Sequence, residues 1–324
     1  MSNDSIRGVV PVIPIPFGDD ESIDEMSLRR TVDWVASQKL AGMCLPAYGS
    51  EFYKLSEAER EQVIGIAIEV NAKRIPLLAQ ANHGSVKVAA SLAKRYEQMG
   101  ADMISFALPR QFAASDEDLL QYCGRIADAV SVPILIQDFN PGGTTIDADF
   151  IQTLHRQHAN FRYAKLEEPM LIDKVIRIRD RIGDDVGILE GWGGYYMLEA
   201  IPAGICGIMP GVPIADLLDR VYQVRVNRKD GEAYDLFASL LPYINFSLQN
   251  FELFLQIEKR LLVRRGLFTN SICRCLTLSL SATVLEHTNF LIDQIMRIVQ
   301  HHDDAQDARQ VSVGIEGRRA QRGL

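Results

Sequence analysis

Short apolar runs recur along the chain, each bounded by polar residues, glycine or proline. They are GVVPVIPIPF (8–17), AGMCLPA (41–47), IPLLAQA (75–81), ADMISFALP (101–109), PILIQDF (133–139), RYAKLEE (162–168), VGILEGW (186–192) and ICGIMPG (205–211). Near-continuous apolarity over so few residues marks strands buried on both faces of a parallel sheet. The segments between them carry helical spacing. In 24–39, Met26, Leu28, Val32 and Val35 fall near a helical period. Ser56 with Glu59 three residues later has capping-box spacing at a helix start. Residues 85–99, 116–130, 147–158 and 171–182 repeat the theme.

A strand followed by a helix, over and over, builds a parallel sheet. Eight such strands before residue 212 fit a closed barrel better than an open sheet. A doubly wound sheet would want a Gly-rich phosphate turn after its first strand, where this chain reads PIPFGDDESID. The expected fold is therefore α/β, a (β/α)₈ TIM barrel over 1–215. Residues 214–300 read as wholly helical, more than the one helix a barrel needs there, so 216–300 are expected to form an appended C-terminal helical subdomain. The tail, 301–324, is polar, charged and poor in aromatics, and is expected to be disordered.

Composition narrows the function classes. With 324 residues, 47% hydrophobic and 23% charged, the chain is long enough for a core without metal or disulfide staples. A net charge of −8 argues against a nucleic-acid partner, which needs a basic face. The N-terminal MSNDSIRGVV lacks the basic-then-apolar pattern of a signal peptide. No apolar run approaches the ~20 residues of a membrane span. Cys44, Cys123, Cys206, Cys273 and Cys275 are odd in number and sit on apolar segments, as reduced thiols do. No His, Cys, Asp or Glu set has metal-ligand spacing. The expectation is a cytoplasmic protein with a small-molecule partner, no membrane partner and no cofactor.

Barrel active sites lie at the carboxyl ends of the strands. Lys165 stands out there as the lysine within a predicted strand. Alternation puts Tyr163, Lys165 and Glu167 on one face and Ala164 and Leu166 on the other. Burial favours the free amine, which is what imine formation with a ketone requires. Position alone leaves a second reading open, a lysine paired structurally with Glu167 or Glu168.

Several stretches bear on the choice. VPVIPIPFGDDESID, PAYGSEFYKLSEAER, YAKLEEP, GWGGYYMLEAIPAGICGIMPG and LVRRG followed by Arg274 come in an order and at spacings that resemble the dihydrodipicolinate synthase / N-acetylneuraminate lyase family over roughly residues 7–300. The resemblance implies a class I, Schiff-base-forming aldolase or dehydratase in which Lys165 attacks the ketone of a 2-keto acid. It implies a substrate-carboxylate grip by the turn after strand two, here Ala47, Tyr48, Gly49 and Ser50 followed by Glu51. It also implies a site wall from Gln137, Gly191, Trp192 and Met209, and a homotetramer or homodimer.

The chain departs from the pattern in informative places. Where many members end strand five in Y-N-x-P, this one reads IQDFNPGG. Counting from the strand puts Gln137 in the tyrosine's place; counting back from Pro141 puts Asp138 there. Neither is a phenol. Tyr48 from strand two and Asp138 from strand five remain as proton-transfer candidates. PRQF after strand four lacks a tyrosine, and no arginine follows Pro141. These losses favour lyase action on a 2-keto-3-deoxy sugar acid, as aldolase or dehydratase, over dihydrodipicolinate synthase-like condensation of pyruvate. A barrel that kept the lysine but serves as a small-molecule sensor is the remaining alternative.

Overall fold

The computed structural model describes residues 6–110 and 113–320, with side chains described as far as His301. Eight parallel strands form one sheet: β1 (Gly8–Val9), β2 (Met43–Leu45), β3 (Leu77–Gln80), β4 (Met103–Ala107), β5 (Ile134–Asp138), β6 (Phe161–Leu166), β7 (Gly187–Glu190) and β8 (Gly207–Ile208). Their order is β1-β8-β7-β6-β5-β4-β3-β2. Just beyond β1, Val12 bridges in parallel to both Cys44 and Gly211, which closes the sheet on itself. Seven strands fall inside their predicted runs and β6 starts one residue earlier, at Phe161, because burial on both faces of the sheet favours apolar runs.

Seven helices connect the strands: α1 (Glu25–Ser37), α2 (Glu57–Asn71), α3 (Val86–Met99), α4 (Asp116–Ala127), α5 (Ala148–Gln157), α6 (Leu171–Ile182) and α7 (Met197–Ala203). The capping box at α2 is present: the Glu59 amide donates to the Ser56 hydroxyl, while the Ser56 amide donates to the Glu59 carboxylate. α8 (Ala215–Val226), α9 (Asp230–Ser247) and α10 (Phe251–Arg264) follow the last strand. The expectation of unbroken helix over 214–300 needs correction, because residues 265–281 contain none. Arg274 of that stretch binds the carbonyls of Glu21 and Lys54 and the Glu59 carboxylate, contacts that an extended segment can reach. α11 runs Ala282–Ala320, so the tail expected from 301 begins within a helix; residues 321–324 lie outside the described residues. Met1–Leu278 form one compact unit and Ser279–Leu324 a second.

The barrel interior is filled from below by an apolar cluster that includes Val10, Val12, Cys44, Leu78, Met103, Leu135, Tyr163 and Leu189. Tyr163 anchors the floor, its hydroxyl accepting a hydrogen bond from the Ile6 amide at 2.9 Å. Lys165 is one pleat above Tyr163 on the same inward face. The fold thus sets its amine on a dry floor at the carboxyl end of the sheet.

Candidate active site

Lys165 is 5% exposed and aligns in the sheet with Gln137 of β5 and Leu189 of β7. Its Nζ lies 3.0 Å from Oε1 of Glu167, two residues on and on the same face. The other carboxylate oxygen of Glu167 accepts from Nε2 of Gln137 at 2.9 Å. Burial raises the Glu167 carboxyl above its ordinary range, against the lowering pull of the Lys165 charge. Glu168 faces the other way and is bound by Lys174. The two adjacent glutamates therefore differ in kind, one lining the mouth and one bracing the wall.

These groups border an open cavity at the carboxyl end of the barrel. Tyr48, Gly49, Gln137, Lys165, Glu167 and Gly191 line it, together with the apolar side chains of Phe139, Trp192, Leu248, Phe251 and Phe254. The aromatic rings support one another. Tyr48 lies 5.0 Å from Phe139 and 6.2 Å from Phe251 by ring centroids, and Phe139 stacks on Trp192 at 6.0 Å. The Tyr48 phenol is pushed above its ordinary pKa by burial and then by the Glu167 charge.

Gly191 carries a steric requirement. A Cβ there would lie 2.4 Å from Lys165 Cε and 2.5 Å from Glu167 Cγ. The loop that follows is held by Glu190, whose Oε1 accepts from the Trp192 amide at 2.9 Å. Burial raises the Glu190 carboxyl to about 8.

Of the residues expected at the site, Lys165, Tyr48, Gly49, Gln137, Gly191, Trp192 and Met209 border the cavity. Asp138 does not. Alternation turns it to the outer face of β5, where Arg110 binds it through Nε (3.0 Å) and Nη2 (2.7 Å) and the Ile146 amide donates to its other oxygen at 2.6 Å. Ala47, Ser50 and Glu51 also fall outside the lining. The Ser50 hydroxyl accepts from the Ala47 amide and donates to the Ile13 carbonyl, so it fastens the turn from within. Glu51, fully buried with φ 55°, is ion-paired to Lys54 and Lys259. What the turn offers the cavity is backbone: among the described residues the amides of Tyr48 and Gly49, its first two residues, have no hydrogen-bond partner.

Sequence reasoning missed Glu167 as a cavity group, though alternation from Lys165 was the signal that could have found it. It missed Leu248, Phe251 and Phe254 altogether, since they come from α10 and the turn that leads into it. Gln111 and Phe112 of the PRQF segment lie outside the described residues. Among the described residues, no three His, Cys, Asp or Glu side chains gather as a metal-ligand group, and no helix is long and apolar enough to cross a membrane.

The sequence profile of the Dihydrodipicolinate synthetase family matches residues 5–294. The chain belongs to that family. An L-2-keto-3-deoxyarabonate dehydratase of Azospirillum brasilense is 29% identical over 244 residues, 74% of this chain and 79% of that one. A 4-hydroxy-tetrahydrodipicolinate synthase of Bartonella quintana is 30% identical over 188 residues, 57% of this chain and 63% of that one. A crystal structure of dihydrodipicolinate synthase from Rhodopseudomonas palustris superposes with a TM-score of 0.84 at 25% identity, covering 91% of this chain and 99% of that one. It is Gln137 rather than Asp138 that aligns with Lys165 in the sheet and borders the cavity.

Proposed function

We propose that this family member is a lyase that binds a 2-keto acid as an imine on Lys165 and removes water from a 2-keto-3-deoxy sugar acid. The observation that carries the reading is the Lys165 amine, buried at the barrel mouth and 3.0 Å from a carboxyl group that burial makes more basic. The unpartnered amides of Tyr48 and Gly49 suit the substrate carboxylate, because adjacent N–H groups of a turn form an anion-binding concavity. The protonated imine then acts as an electron sink for bond cleavage next to C3.

The likeness to an L-2-keto-3-deoxyarabonate dehydratase supports loss of water. No arginine follows Pro141, where Gly142 and Gly143 stand, so the aldehyde partner of a condensation finds no carboxylate clamp there.

The test is product analysis by mass spectrometry with 2-keto-3-deoxypentonic and 2-keto-3-deoxyhexonic acids, and with pyruvate plus aldehydes. The expected result is a product lighter by one water from a 2-keto-3-deoxy acid, lost in Lys165→Arg. Turnover of no 2-keto acid, or condensation of pyruvate alone, would overturn the assignment.

A further inference from the structure

We propose that Glu167 is the general base and acid of this site, taking the C3 proton from the imine on Lys165 and delivering it to the departing C4 hydroxyl. The inference rests on the lysine-imine reading and supplies what the missing strand-five phenol leaves vacant. Four features of the structure lead to it.

The first is position. An imine nitrogen takes the place of Lys165 Nζ, and C3 of the substrate is two bonds from it. A carboxylate oxygen 3.0 Å from that nitrogen is within reach of a C3 proton. The second is burial. The Glu167 side chain is 6% exposed, so bulk water does not compete for its proton.

The third is a directed chain of amides. The Ala107 backbone N–H can only donate, and it donates to Asn82 Oδ1 at 2.6 Å. That leaves Asn82 Nδ2 to donate to Gln80 Oε1 at 3.0 Å, and Gln80 Nε2 to donate to Gln137 Oε1 at 2.8 Å. Gln137 Nε2 must then face Glu167 Oε2, at 2.9 Å. Asn82, Gln80 and Gln137 are all buried, at 3%, 2% and 1% exposure. The polarity of the whole chain is thus set by one backbone group, and its end always presents a donor to the carboxylate. Such a preorganised donor holds Oε2 in place and leaves Oε1 for the reacting centre. Gln137, at the tyrosine's place, serves as a positioning residue.

The fourth is that Asp138 and Glu168, the carboxylates next in sequence to Gln137 and Glu167, are engaged elsewhere. Asp138 is bound by Arg110 and the Ile146 amide, and Glu168 by Lys174.

The step balances without a co-reactant. Glu167 takes the C3 proton; the C–H pair forms the C2–C3 double bond and the C2–N pair moves to nitrogen, giving an enamine. The nitrogen lone pair then restores C2=N, the C2–C3 pair forms C3=C4, and the C4–O bond breaks as its oxygen takes the proton from Glu167. Water leaves, and hydrolysis frees the product and the lysine.

The test uses pyruvate, which has no leaving group and isolates the proton-transfer half. Exchange of its C3 hydrogens in deuterated water is followed by proton NMR, alongside borohydride trapping on Lys165, for wild type, Glu167→Gln and Glu167→Asp. Glu167→Gln is expected to trap pyruvate on Lys165 yet exchange at least about 10²-fold more slowly, the usual scale of acid–base catalysis, with partial recovery in Glu167→Asp. Exchange at the wild-type rate in Glu167→Gln would overturn the proposal. So would failure of both variants to trap when both are folded by circular dichroism, since Glu167 would then serve the lysine alone. Failure of the wild type to trap would instead remove the imine reading on which the proposal stands.

Discussion

Replacing Glu51 with glutamine will destabilise the protein by about 3–5 kcal/mol, the cost of leaving a buried charge without its partner, and will leave substrate affinity in the surviving folded enzyme unchanged. The Lys259 side chain is 0% exposed. Besides Glu51, its ammonium meets the Ile272 carbonyl at 2.8 Å and the Phe17 ring at 4.4 Å. Neither carries a full negative charge. Lys54 keeps a second partner in Glu252 at 2.8 Å, so the loss falls chiefly on Lys259. Glutamine keeps the shape and tolerates the backbone as glutamate does, which isolates the charge. Urea unfolding measures the change. Unaltered stability with a raised KM would show instead that Glu51 serves the substrate, as its place in the family-like turn first implied.

The second large effect is expected of Gly191→Ala, which should abolish turnover while the fold survives. Its methyl group would sit 2.4 Å from Lys165 Cε and within 2.7 Å of Glu167 Oε1. Gly191 does not occupy the left-handed region, so the backbone accepts alanine and the clash alone acts. Overpacking of this kind costs about 1–3 kcal/mol of stability, but the displaced groups are the amine and the carboxyl of the proposed chemistry. A small fall in Tm with no detectable turnover is the expected pair of readings. Normal turnover in the alanine variant would mean that neither side chain needs its present place.

The strands could be read from the chain because burial on both faces demands unbroken apolar runs. Lys165 could be read because a charged residue inside such a run has to be explained. Alternation already placed Glu167 beside it, and only the absence of a family motif at that position kept its role hidden. Asp138 was misplaced for a specific reason. Counting back from Pro141 ignores that the pleat turns Gln137 inward and Asp138 outward, whatever the loop length beyond. Ser50 and Glu51 follow a turn that folds back on Ile13 and Lys259, partners that no local spacing reveals. Leu248, Phe251 and Phe254 carry only the amphipathic signature of helices, which says that a face is buried and not against what. In the same way, residues 265–281 read as part of a helical run, whereas the segment holds no helix, bends at Cys275 and Leu276, and has the Leu278 carbonyl bound by Gln256 Nε2 at 2.6 Å.

The proposed chemistry turns on one amine. The most direct measurement is borohydride reduction in the presence of pyruvate, followed by digestion and mass mapping of the modified peptide. The proposed mechanism predicts one stable adduct, on Lys165, absent without borohydride and absent in Lys165→Arg. No adduct, or an adduct spread over exposed lysines with Lys165 untouched, would contradict it.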